Sequence, residues 1–139
     1  MTDKIFIEAY NDAAAKVERN SGRIGLAFPQ AVPDGEREYN REEPDYWTGG
    51  FWGGQLWLAY RALKKEPLRE LARAIEEAQD VPLNEFTKLH HDVGFMWLHS
   101  AVADWRLTGS AKSRDRGLMA ASVLAGRFNP GGGFIRAWN

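Results

Sequence analysis

Apolar positions recur at helical spacing through most of this chain, and the width of the apolar face changes from one segment to the next. Over residues 3–20, Phe6, Ala9, Tyr10, Ala13 and Val17 make a single stripe. Asp3 is placed to cap that helix and Ser21-Gly22 to end it. Residues 51–65 are different. Leu56-Trp57-Leu58-Ala59-Tyr60 is apolar all round, which predicts a helix buried on most sides, with Thr48 or Gly49 as its cap. Pro67 suits the first turn of a third helix. There Leu68, Leu71, Ala72 and Ile75 form a narrow stripe, opposed by a wet face of Arg69, Arg73, Glu76 and Glu77. The broad pattern returns over residues 95–107, in Phe95-Met96-Trp97-Leu98 and Ala101-Val102-Ala103, and Thr108-Gly109 stops it. Residues 113–126 are again one-sided, with Leu118, Ala121, Leu124 and Ala125 expected to face inward.

Gly50-Phe51 matches Gly94-Phe95 at an offset of 44 residues, and Leu63 then matches Leu107. A period of about 40–47 residues is that of a repeated helical hairpin. Alternation of broad and narrow apolar faces predicts two layers, an inner and an outer ring. The expected fold is therefore all-α: an α/α toroid of the (α/α)6-barrel type, incomplete, with about five helices in one unit over residues 1–139. Between the first two helices, residues 23–46 carry Pro29, Pro33, Pro44, Gly35 and many charges. A connection of that length is uncommon in a compact domain without a purpose, and a loop crossing a pocket mouth is expected. Phe128-Asn129-Pro130-Gly131-Gly132-Gly133-Phe134 reads as a turn. A phosphate loop would need a preceding strand and a following Lys-Ser/Thr, which this stretch lacks.

Composition narrows the function. Eighteen basic and 19 acidic residues leave a net charge of −1, so nothing here favours nucleic acid or an anionic membrane. Without cysteine there are no disulfides and no thiolate metal sites. No apolar run approaches the roughly 18 residues that span a bilayer, and a cytoplasmic setting is expected. The unusual quantity is six tryptophans, three of which (Trp47, Trp52 and Trp57) lie close together. Any one of them can be core filling. The candidate acid is Asp92, in His90-His91-Asp92-Val93-Gly94-Phe95, at the entrance of the second broad helix. Aspartate there is also a preferred helix cap. Crowding of Asp92 by Trp47, Trp52 and Phe95 is expected, with His91 orienting its carboxylate or a sugar hydroxyl. No metal site is expected from His90, His91 and His99, because adjacent histidines point apart on most backbones and no i,i+4 pair exists. Ser100 and Ser122 lack a nucleophile elbow.

Taken in order, several blocks resemble the N-terminal part of unsaturated glucuronyl hydrolases, glycoside hydrolase family 88. They are Trp47-Thr48-Gly49-Gly50-Phe51-Trp52, His91-Asp92-Val93-Gly94-Phe95, Leu107-Thr108-Gly109, Arg127-Phe128-Asn129-Pro130 and Ile135-Arg136-Ala137-Trp138. The match runs from about Tyr46 to the last residue. The resemblance implies an (α/α)6 barrel acting on oligosaccharides that end in a 4,5-unsaturated uronic acid. Proton addition at C4 and water addition at C5 give a hemiketal that opens and releases the partner sugar. No cofactor and no metal are implied. On the same basis Asp92 is the first of two important aspartates, and Trp47 and Trp138 stack on the unsaturated ring. The second aspartate of the pattern falls after Trp138, in a stretch this chain does not have. The 139-residue chain alone is therefore expected to be inactive and to self-associate through exposed inner helices. An unsaturated rhamnogalacturonyl hydrolase on the same scaffold, and a non-catalytic helical module binding sugar or protein, are the alternatives.

Overall fold

A computed structural model describes residues 2–139. It is helical throughout, with two minimal β-ladders. Helix α1 (Thr2–Ile24) leads through β1 (Phe28–Pro29) and β2 (Arg41–Glu42) to α2 (Gly49–Leu63) and α3 (Glu66–Ala78). A short α4 (Asp80–Glu85) precedes α5 (Val93–His99), α6 (Ala101–Thr108) and α7 (Ala111–Ala125), and β3 (Phe128–Asn129) and β4 (Phe134–Ile135) close the chain. Both ladders are antiparallel, pairing Phe28 with Glu42 and Phe128 with Ile135. No helix among the described residues is long and apolar enough to cross a membrane.

Two hairpins make two layers, as the repeat predicts. Helix α2 packs against α5 in the inner layer, while α3 backs α2, and α7 backs α5 and α6. Glycine sets the closeness of the inner pair. A Cβ on Gly50 would overlap the Met96 carbonyl, and one on Gly54 would lie 2.9 Å from His99 Cβ. The two backbones therefore meet with no side chain between them. Around this seam Trp52, Leu56, Trp57, Leu68, Ala72 and Ile75 form one core cluster. Leu83, Leu89, Val93, Met96, Trp97 and Ala101 form a second.

Several elements depart from the sequence pattern for identifiable reasons. Helix α1 continues past Ser21-Gly22 because the chain first turns left-handed at Gly25 (φ +58°). Its apolar stripe is not buried at the start: Phe6 and Ala9 are exposed, and Ala14 is the residue that enters the core. The expected single helix over 95–107 is broken at Ser100, whose φ and ψ are −96° and −89°. Its hydroxyl donates to the Met96 carbonyl at 2.7 Å, a local bond that competes with the helix ladder and bends it. The expected inward face of α7 holds only at Leu124, which packs against the second core cluster. Leu118, Ala121 and Ala125 are exposed, whereas Ser113, Arg116 and Ala120 are buried.

The reason lies on α3. Glu76, expected on the wet face, is fully buried. It accepts a hydrogen bond from Trp57 Nε1 at 2.9 Å and one from Arg116 Nη1 at 3.1 Å. Arg116 also grips Asp80 in a fork, with both N···O distances 2.6 Å. The Ser113 hydroxyl lies 2.8 Å from Glu76 and 2.7 Å from the buried Asp104. Burial pushes the Glu76 carboxyl from its usual 4.5 up to about 6, and the nearby Asp104 adds to this. Hydrogen bonds from Ser113 and Trp57 and the charge of Arg116 act the other way. A polar network thus joins α3, α6 and α7 and orients the first half of α7, while Ala120, Val123 and Leu124 pack its second half against the core.

Candidate functional site

The segment before α5 is held at both ends by burial. Leu89 and Val93 both sit in the second core cluster, which leaves His90, His91 and Asp92 to bridge them. The Val93 N–H donates to the His90 carbonyl at 3.2 Å, closing a turn. That turn folds the chain so that neighbouring side chains converge. The two imidazole rings lie 5.1 Å apart, tilted by 36°. The expectation that adjacent histidines diverge assumed an extended or helical backbone, and it fails here.

Asp92 occupies the N-cap position of α5, yet its side chain makes no capping bond. Its own φ and ψ (−73°, −5°) are already helical, whereas a capping aspartate adopts an extended conformation. The carboxylate instead faces the two imidazoles. Oδ2 is 3.3 Å from His90 Nδ1, and Oδ1 is 3.4 Å from His91 Nε2. The residue is 8 % exposed, enough to reach solvent from one side.

The C-terminal segment after β4 fixes the far nitrogen of His91. His91 Nδ1 lies 2.7 Å from the Ala137 carbonyl, which also accepts the His91 backbone N–H at 3.2 Å. A carbonyl accepts only, so Nδ1 carries a proton, and Nε2 is the nitrogen turned to Asp92. One proton on Nε2 or on Oδ1 turns that contact into a hydrogen bond. Trp138 follows directly. Its indole stands edge-on to His91 at 4.6 Å and 5.1 Å from His90, and it is 66 % exposed. An aromatic face is thereby held beside the acid and open to solvent.

Arg127 holds that segment. Its guanidinium donates to the carbonyls of Arg136 at 2.8 Å and Ala137 at 3.0 Å, and to Asn139 Oδ1 at 2.8 Å. Neither Arg127 nor His90 stands out as a site residue by residue type alone. Arg127 sits at the start of the Arg-Phe-Asn-Pro block, which was the available signal for it.

Of the residues expected in the site, His91, Asp92 and Trp138 come together directly. Trp47 connects through a run of rings: Trp47 to Phe51 at 5.9 Å, then Phe51 to Phe95 at 6.4 Å. The Phe95 N–H in turn donates to the Asp92 carbonyl at 2.8 Å. Trp52 is a correction. Its indole donates to the Gly25 carbonyl at 3.1 Å and its ring fills the core beside α1, so it does not crowd Asp92. His99 lies against Phe51 at 5.1 Å. It lines a separate groove of about 930 Å³ with Tyr10, Trp52, Leu58 and Leu107, formed between α1, α2 and the α5–α6 segment.

No family model matches the chain. It is similar to the unsaturated glucuronyl hydrolase of Bacillus sp. (strain GL1), 37% identical over 132 residues, covering 94% of this chain and 35% of that protein. Among solved structures, the unsaturated glucuronyl hydrolase from Streptococcus agalactiae superposes with a TM-score of 0.87 at 32% identity, over 98% of this chain and 34% of the other. A UGL variant solved with dGlcA-Glc-Rha-Glc gives a TM-score of 0.84 at 36% identity, over 92% of this chain and 34% of the other. The chain spans about a third of the length of the curated relatives it matches. The resemblance first visible in the Trp-Thr-Gly-Gly-Phe-Trp and His-Asp-Val-Gly-Phe blocks therefore extends over nearly all of the chain. The layered hairpins correspond to part of an α/α barrel.

Proposed function

We propose that residues 1–139 are the N-terminal portion of a single catalytic domain that removes a 4,5-unsaturated uronic acid from oligosaccharides produced by polysaccharide lyases. The observation that carries this reading is the freedom of Asp92. A carboxylate at a helix entrance that caps nothing, and faces imidazoles beside an exposed indole, is placed for proton handling next to a flat ring. Vinyl-ether hydration asks for those parts. A proton adds to C4, the oxygen of water bonds to C5, and the water's second proton leaves to a base. The hemiketal then collapses and expels the partner sugar as an alcohol.

In this reading Trp138 and Trp47 stack on the unsaturated ring, and His91 fixes the direction of Asp92. The similarity to unsaturated glucuronyl hydrolases supports it, as does the structure of one with dGlcA-Glc-Rha-Glc. A cytoplasmic setting belongs to the same proposal, as does self-association through exposed inner helices. Titration of the chain with an unsaturated disaccharide, followed by tryptophan fluorescence, tests it. Quenching is expected in the parent and in Asp92→Asn, with loss of most of the response in Trp138→Ala. A flat response in all three removes the sugar pocket.

A further inference from the structure

We propose that the groove between α1, α2 and the α5–α6 segment is the seat for the first turns of α1 from a second copy of this chain. The proposal rests on the self-association stated above and names its contact. The groove measures about 930 Å³, and Val17, Leu58, Leu98 and Leu107 give it apolar walls. Its lysine and arginine side chains are Lys16, Arg61 and Arg106, and no carboxylate lines it. All three cations are exposed, and none is in an ion pair among the described residues. Apolar walls with three unmatched cations fit an apolar helix face flanked by carboxylates.

The chain itself carries such a face. Every residue from Asp3 to Ala9 is exposed. Helix α1 is tied to the body only further on, where the Tyr10 hydroxyl donates to the Leu58 carbonyl at 2.6 Å and Ala14 enters the core. At about 100° per residue, Ile5, Phe6 and Ala9 fall within one arc of the helix, with Asp3 and Asp12 towards its edges. Ile5 is 64 % and Phe6 68 % exposed, so a single chain leaves this face in water. Neither aspartate is in an ion pair among the described residues, whereas Glu8, on the far side of the helix, lies 3.6 Å from Lys4. Arm and groove therefore match in apolar character and are opposite in charge. Helix α1 supplies both the arm and one wall of the groove, so one two-fold axis serves both contacts. Each arm lies antiparallel beside the other copy's α1, and the pair closes without leaving a free seat.

Sedimentation velocity of the 139-residue chain over a range of concentrations tests the proposal. A dimer is expected, and it should weaken as salt is raised, since the facing charges lie at an exposed rim. Phe6→Glu should raise the dissociation constant by at least about a hundredfold, because two-fold symmetry removes a buried phenyl ring from each of two contacts. That ring is 68 % exposed in the single chain, so the variant keeps its fold, which circular dichroism checks. The chain has no cysteine, so introduced thiols report contact directly. With oxidised glutathione, Phe6→Cys and Leu58→Cys chains should form a mixed disulfide with each other. Phe6→Cys with Leu118→Cys, on the exposed face of α7, should not. A monomer at every concentration overturns the proposal together with self-association, and leaves the groove to another part of a longer chain. A dimer that survives Phe6→Glu, or that cross-links equally through Leu118, overturns the seat and leaves self-association standing.

Discussion

Glu76→Gln offers the sharpest test of the buried polar network. The Ser113 hydroxyl has one proton and two carboxylate oxygens within 2.8 Å, from Glu76 and Asp104. It can donate to only one of them, so the other contact becomes a hydrogen bond when a second proton is present. A protonated Glu76 supplies it, in keeping with a carboxyl pushed up to about 6 by burial. The sign follows from linkage. Below pH 4.5 both folded and unfolded chains hold the Glu76 proton, and this residue adds no pH dependence. As pH rises from 4.5 to about 6 the unfolded chain releases its proton first, so folding becomes less favourable. Above that window the loss is complete, at about 2 kcal/mol for a carboxyl so displaced. Glutamine cannot ionise, and the variant should lack this term. Urea unfolding at several pH values between 4 and 8, followed by circular dichroism, gives the stability of parent and variant. All other titrating groups are shared, so the difference between the two curves isolates Glu76. That difference should shift by about 2 kcal/mol in favour of the variant across the window. Parallel curves would refute the argument, as would a shift in the opposite direction.

Four further outcomes follow from packing and from the C-terminal segment. Gly50→Ala should destabilise the chain by at least about 1–3 kcal/mol in thermal or urea unfolding, because its methyl group meets the Met96 backbone. Gly22→Ala, where a Cβ meets nothing within 4 Å inside α1, should instead be neutral or stabilising by up to about 1 kcal/mol. Arg127→Ala should release the C-terminal segment carrying Trp138, seen as faster amide exchange at His91 and Arg136, at a cost of about 1–3 kcal/mol. Arg127→Lys should not restore protection, since one ammonium cannot span carbonyls and an amide oxygen as the guanidinium fork does.

Much of the architecture was legible because helix burial is written in apolar periodicity. The breadth of the α2 pattern against the narrow α3 stripe announced two layers, and the 44-residue recurrence of Gly-Phe announced the paired hairpins. What periodicity cannot carry is a polar group that is buried and satisfied. Glu76 looks solvated until Ser113 and Arg116 are known to face it, and those two then replace Leu118 as the inner face of α7. The break at Ser100 was hidden because its cause is one hydroxyl bonding back to Met96. At the site, Asp92 and Trp138 were legible by their blocks. The convergence of His90 with His91 depends on a turn closed by a single backbone hydrogen bond. Trp52 was misplaced because an aromatic cluster in sequence does not say which side of a helix each ring leaves.

The seam between α2 and α5 has a consequence for how such a scaffold can change. Where two main chains touch, their separation is set by peptide atoms, which every residue shares. Exchanges elsewhere on these helices can alter volume or polarity while the entrance of α5 keeps its distance from α2. Gly50 and Gly54 thus work as a fixed gauge. The face presented to a ligand is free to diversify, and the spacing between the Trp47 end and the Asp92 end is not.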